Sequence, residues 1–168
     1  MPKVNLQKPL NVPAVPARQA ASEILHKIEA GEPEGADFSP HLSLGAVGLP
    51  DVGYIVIPVR LAISGEEQEP RHQIRFTMLA RRNPEAFPVF NGALGVDSSG
   101  PSSSEVWLGG TYEVPLHALG AFFDKLMAPN VANKALDNLL VDLAEAIAAR
   151  VERREISLAR YRMFDTGD

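Results

Sequence analysis

Residues 130–152 read NVANKALDNLLVDLAEAIAARVE, and this stretch decides the architecture. Leu136, Leu139, Leu140, Leu143, Ile147 and Val151 recur at spacings of three and four, which puts them on one side of an α-helix. Asp137, Asp142, Glu145 and Arg150 fall on the other side, so the spacing predicts a helix that is buried on one face and solvated on the other. Such a helix is about 35 Å long, the length of roughly an eleven-residue strand, and can cross a whole sheet.

Pro129 fixes where this helix starts, because proline supplies no N–H and clashes with the preceding turn. Upstream of it, Leu116, Leu119, Phe122, Phe123 and Leu126 fit a shorter helical face ending near Ala128. The middle of the chain has a different period. Ile55, Ile57, Val59, Leu61 and Ile63 alternate between Gly53 and Ser64, with Gly65, Glu66 and Glu67 as a turn. His72, Ile74, Phe76, Met78 and Ala80 alternate with Arg71, Gln73, Arg75, Thr77 and Leu79, so the first set belongs against a core. Further strands are expected over Phe87–Val96 and Glu105–Val114, joined by a polar turn over Asp97–Ser104. A bend or bulge is expected at Gly109 and Gly110.

At the front, Val4, Leu6 and Leu10 suit an edge strand, where Pro2 and Pro9 are tolerated. A helix follows from about Ala17, with Ala20, Ile24 and Ile28 on one face; Gly31 and Pro33 stop it. Glu32–Pro40 reads as a loop or a single helical turn, and Glu32–Pro50 leaves the number of early strands open. A single domain over 1–155 with a tail over 156–168 is the expected organisation.

Composition narrows the chemistry. The 168 residues contain no cysteine, which excludes disulfides, thiolate nucleophiles and sulfur-ligated zinc or iron–sulfur sites. Sixteen Lys and Arg against 21 Asp and Glu leave a net charge of -5, and the aromatics sit inside apolar patterns, so no nucleic-acid partner is expected. Arg150, Arg153, Arg154, Arg160 and Arg162 are interleaved with Glu152 and Glu155. They read first as a solvated helix end and second as an anion or partner site. No run reaches the roughly 20 apolar residues of a membrane span, so the expectation is a soluble, cytoplasmic protein without stable membrane insertion. No phosphate-cradling glycine loop, nucleophile elbow or close histidine spacing occurs, so neither a metal nor a cofactor is expected.

The second half carries a local likeness. Phe90-Asn91-Gly92 stands on one strand and Trp107-Leu108-Gly109-Gly110-Thr111-Tyr112 on the next. The chain then runs through Val114-Pro115-Leu116-His117-Ala118-Leu119-Gly120 to Phe123-Asp124 and the long helix. In this order of elements the sequence resembles the START-like superfamily, the helix-grip proteins that include polyketide cyclases and lipid carriers. The resemblance implies an α+β fold in which a curved antiparallel sheet wraps a long C-terminal helix and leaves a chamber for a ligand. It does not imply which ligand, since folds host many functions.

The residues expected to face that chamber are His72, Phe76, Met78, Phe90, Tyr112 and Phe123. Most are apolar, as ligand pockets are, while Tyr112 and His72 offer polar atoms to orient a ligand. His72 reads first as a partly buried histidine satisfied by backbone or water and only second as a cavity group, and the aromatics read first as core. Trp107 falls on the face opposite Tyr112 and is kept out of the site. Three functions follow: binding or transport of an apolar small molecule or lipid, a cavity enzyme of the cyclase or dehydratase type, and a protein-interaction or chaperone-like module.

Overall fold

The computed structural model describes residues 1–35, 38–68, 71–113 and 129–165. Among these, strands β1 (Lys3–Leu10), β4 (Val59–Glu67), β5 (Gln73–Ala80), β6 (Val89–Gly100) and β7 (Ser103–Glu113) form an antiparallel sheet in the order β1-β7-β6-β5-β4. Strands β2 (His41–Ser43) and β3 (Tyr54–Val56) pair separately. Helix α1 (Ala14–Ala30) and helix α2 (Pro129–Asp165) share the inner face of the large sheet, which is curved and gripped around α2.

The alternation of the strands sets this face. Ile74, Phe76, Met78 and Ala80 are buried from β5, Leu94 and Val96 from β6, and Val106, Leu108 and Tyr112 from β7. They meet the expected stripe of α2 and the alanine-rich side of α1, where Ala17 and Ala20 are fully buried. Small residues let α1 approach closely. Gly31 ends that helix in the left-handed conformation at φ 69°, and its N–H bonds to the Ile28 carbonyl.

Several boundaries differ from the sequence expectation. The strand expected over Gly53–Ser64 is two strands, broken at Ile57-Pro58. Proline offers no donor there, and Ile57 N–H turns away to the Pro40 carbonyl. β4 runs on through the expected turn to Glu67, with its register shift between Ile63 and Gly65. The polar segment Asp97–Ser104 is mostly strand, because Asp97 pairs with Glu105 and Ser98 with Ser104 around a tight turn at Pro101-Ser102. No bulge falls at Gly109-Gly110; the pairing there is continuous. The shorter helix expected over 116–128 lies outside the described residues.

The expected boundary at residue 155 falls inside α2, which continues to Asp165 with Leu158, Tyr161 and Phe164 exposed. The helix outlasts the sheet, so the apolar stripe goes on without a partner surface among the described residues. Nor is the polar side of α2 simply solvated. Asp137 pairs with Lys8 of β1 at 2.8 Å, Asp142 stands 3.6 Å from His41 of β2, and Arg150 reaches Glu23 of α1 at 2.9 Å. These pairs tie the helix to three other elements.

Glu23 accepts from both Arg154 and Arg150, which hold its carboxyl below the usual carboxylate range, the Arg154 hydrogen bond acting most strongly. A lowered folded-state pKa stabilises the fold fully above the unfolded-state value, and that contribution is lost as pH falls through the folded value. Glu23→Gln should therefore flatten the acid side of the stability curve and leave its neutral-to-alkaline shape unchanged. Denaturant unfolding of both proteins across pH 3–7 checks this.

Candidate functional site

A hollow of about 70 Å³ opens where the N-terminal end of α2 meets the β4–β5 edge of the sheet. The sheet contributes Val59, Met78, Ala80 and Phe90, with Phe87 and Pro88 just ahead of β6, and Tyr112 from β7 forms its inner wall. Ala132, Ala135 and Leu136 approach from α2, and small side chains at 132 and 135 leave the space. Pro40, Leu42 and Ile57 cover it from the β2–β3 hairpin.

The lining is apolar with one exception. Tyr112 is buried, and its hydroxyl has no hydrogen-bond partner among the described residues. Burial pushes the Tyr112 phenol above its ordinary pKa, so it remains a neutral O–H donor. A buried unpaired hydroxyl costs roughly 1–3 kcal/mol, so this one stands out against the usual satisfaction of buried polar atoms.

The glycines of the likeness motif shape this wall. Gly92 and Gly110 are partners across β6 and β7. A Cβ on Gly92 would lie 2.5 Å from the Phe90 ring, so the absence of side chains there lets the ring fold along the sheet. Phe90 in turn packs against Phe76 with ring centroids 5.8 Å apart.

The cover is a distinct unit. Leu42 and Val47 form a small apolar cluster with Val131 and Ala135, separate from the main core. Asn138 donates to the His41 carbonyl at 2.8 Å, and His41 stacks edge-on with Tyr54 at 6.3 Å. Few buried apolar contacts hold this hairpin, so it belongs to the low-stability end of the fold. Its outer side exposes Val52, Tyr54 and Val56.

Of the residues expected to face a chamber, Met78, Phe90 and Tyr112 line this hollow. Phe76 borders a smaller void of about 10 Å³ deeper between sheet and α2, closed by Leu108, Leu139 and Leu143. His72 does not line the hollow. It stands just before β5, about 20 Å along the strand from Met78, in a separate recess with Arg18, Glu66 and Glu67. Phe123 lies outside the described residues. Alternation gave the inward side for Met78 and Ala80 and put Ile57 in the same set as Val59, whereas Pro40 and Leu42 come from the irregular front segment and had no periodic signal. Trp107 lies on the outer face over Gly95, with Arg71 4.2 Å from its ring centroid. Among the described residues no group of three or more His, Asp or Glu side chains is placed to hold a metal, and no helix is long and apolar enough to cross a membrane.

No protein-family model matches the sequence, and no curated protein does. Solved structures do. The chain is similar to norcoclaurine synthase from Thalictrum flavum in complex with dopamine and hydroxybenzaldehyde, at 13% identity and a TM-score of 0.55, over 90% of this chain and 86% of that one. It is similar to a conserved protein from Geobacillus kaustophilus at 10% identity and a TM-score of 0.54, over 90% of this chain and 95% of that one. It also matches the di-domain ARO/CYC protein BexL at 12% identity and a TM-score of 0.50, over 90% of this chain and 47% of that one. The chain has the START-like helix-grip fold.

Proposed function

We propose that this protein binds a small, largely apolar molecule at the N-terminal end of α2, with the Tyr112 hydroxyl donating to one polar atom of that ligand. The orphaned hydroxyl in an otherwise apolar hollow carries the reading. Ligand sites pair an apolar lining with a few oriented polar groups, and a ligand acceptor would relieve the unpaired donor. Fold likeness supports it: norcoclaurine synthase, as solved, holds two small aromatic molecules.

The hollow is far below the roughly 300 Å³ of a drug-sized site. Occupation therefore requires the β2–β3 cover to swing outward, breaking the Asn138–His41 bond and the small Leu42–Val131 cluster rather than the main core. Binding or carriage is favoured over turnover, because Tyr112 is the one titratable side chain among the described lining residues and proton transfer chemistry wants a second group.

Tyr112→Phe separates the two roles of the hydroxyl. With no ligand the variant should be more stable than the parent by about 1 kcal/mol, since an unpaired buried polar atom is removed with little change of shape. Its affinity for small phenolic or carbonyl-bearing aromatics, screened by native mass spectrometry and calorimetry, should fall about tenfold. Equal affinity in the two proteins would take Tyr112 out of the site. Failure of the whole screen, with no molecule carried through purification, would remove the binding reading.

A further inference from the structure

Away from the Tyr112 hollow, residues of α1 and α2 together with Phe38 line an open cleft of about 580 Å³. Its floor is apolar, formed by Ile24, Phe38 and Ala146, and one wall carries Arg150, Arg153 and Arg154. Spacings of three and four put these arginines on one side of α2, facing α1.

Their hydrogen bonds leave donors over. Arg150 through Nε and Arg154 through Nη2 both engage the same oxygen of Glu23, at 2.9 and 2.5 Å. Arg153 Nε donates to the Ala149 carbonyl, and no carboxylate among the described residues lies within ion-pair distance of its guanidinium. Lys27, on the opposite wall, stands 4.0 Å from Glu32. Among the described residues, three guanidinium groups of this wall thus share one carboxylate, that of Glu23, leaving two formal positive charges beside an apolar floor. Guanidinium groups present paired N–H donors in a fixed plane that matches phosphate and carboxylate oxygens.

We infer that this cleft is a second binding site, for a phosphate monoester carried on an apolar body. The charge left over matches a dianionic head, and the volume exceeds what a bare phosphate fills. Ile24, Phe38 and Ala146 would receive the apolar part. The head could come from a free phosphorylated small molecule or from a phosphomonoester lipid at a bilayer surface; the recognition chemistry is the same. The site is independent of the Tyr112 hollow and stands whether or not that hollow binds anything.

The test compares phenyl phosphate with inorganic phosphate by calorimetry on the full chain, alongside vesicles of phosphatidylcholine with and without phosphatidic acid. Phenyl phosphate should bind at least tenfold more tightly than inorganic phosphate and weaken with added salt. Arg153→Gln, a change at an exposed side chain that pairs with no carboxylate among the described residues, should lower that affinity about tenfold with an unchanged unfolding midpoint. Glu23→Gln should raise it several-fold in the folded protein, because the carboxylate competes for the same donors. Cosedimentation with phosphatidic acid vesicles that Arg153→Gln abolishes would assign the head to a lipid; binding of phenyl phosphate alone would assign it to a soluble ester. Equal affinity for phenyl and inorganic phosphate, or no response to Arg153→Gln, would overturn the site and leave the arginines as a brace between α1 and α2.

Discussion

Ile147→Ala should lower the free energy of unfolding by about 2–5 kcal/mol, the largest effect expected of any single truncation here. Ile147 is wholly buried, as is Leu140 two turns earlier, and both sit in the core shared by α2, α1 and the sheet. Two costs combine: the apolar area returned to water, and the cavity that a close-packed interior fails to refill. The neighbouring void between sheet and α2 is only about 10 Å³, so little slack exists to absorb the loss. Leu158→Ala, on the same stripe beyond the sheet, should change stability by less than about 0.5 kcal/mol. Urea unfolding with a shifted midpoint at constant slope for Ile147→Ala, and an unmoved midpoint for Leu158→Ala, is the expected pair of results. Similar losses at both positions would mean that the helix end is covered.

Gly110→Ala should destabilise by about 1–3 kcal/mol, while the same change one residue earlier should cost far less. The added Cβ at 110 would lie 2.4 Å from the Asn91 carbonyl oxygen and 2.6 Å from Gly92 Cα, both backbone atoms of the adjacent strand. No rotamer change can relieve the two backbone contacts, so the strands must part, and the Phe90 ring, 2.9 Å away, must shift as well. At Gly109 the nearest atom is Trp107 Cζ3 at 3.6 Å, an ordinary contact on the outer face. Thermal unfolding of the two alanine variants gives the comparison. A loss at 109 equal to that at 110 would refute the steric account.

Much of this arrangement was legible in the sequence wherever one periodic pattern ran long enough. The stripe from Leu136 to Val151 located α2, and alternation from Ile74 to Ala80 assigned inner and outer sides of β5 correctly. Parity also separated Tyr112 from Trp107, which the structure places on opposite faces of β7. Composition hides what pairing decides. Ser98 and Ser104 have the chemistry of a turn, yet hydrogen bonding across β6 and β7 makes them strand. Parity likewise says which side His72 takes but not how far along the sheet it lies. The cover was only half legible: Tyr54–Val56 reads as the start of one long strand because its alternation runs on into β4, while His41–Ser43 is too short to show a period and a long-range contact to α2 fixes it.

The strand order has a kinetic consequence. β1 pairs only with β7, so Lys3 waits for Thr111 and Leu10 for Ser104. During synthesis the first strand emerges long before its partner exists, and closing so large a loop is slow. Until then β7 presents a bare edge of unpaired backbone N–H and C=O groups, the kind of template on which nascent chains associate. The hazard should be greatest in the interval after β7 has formed against β6 and before the N-terminus docks. Deleting residues 1–10 would make that interval permanent.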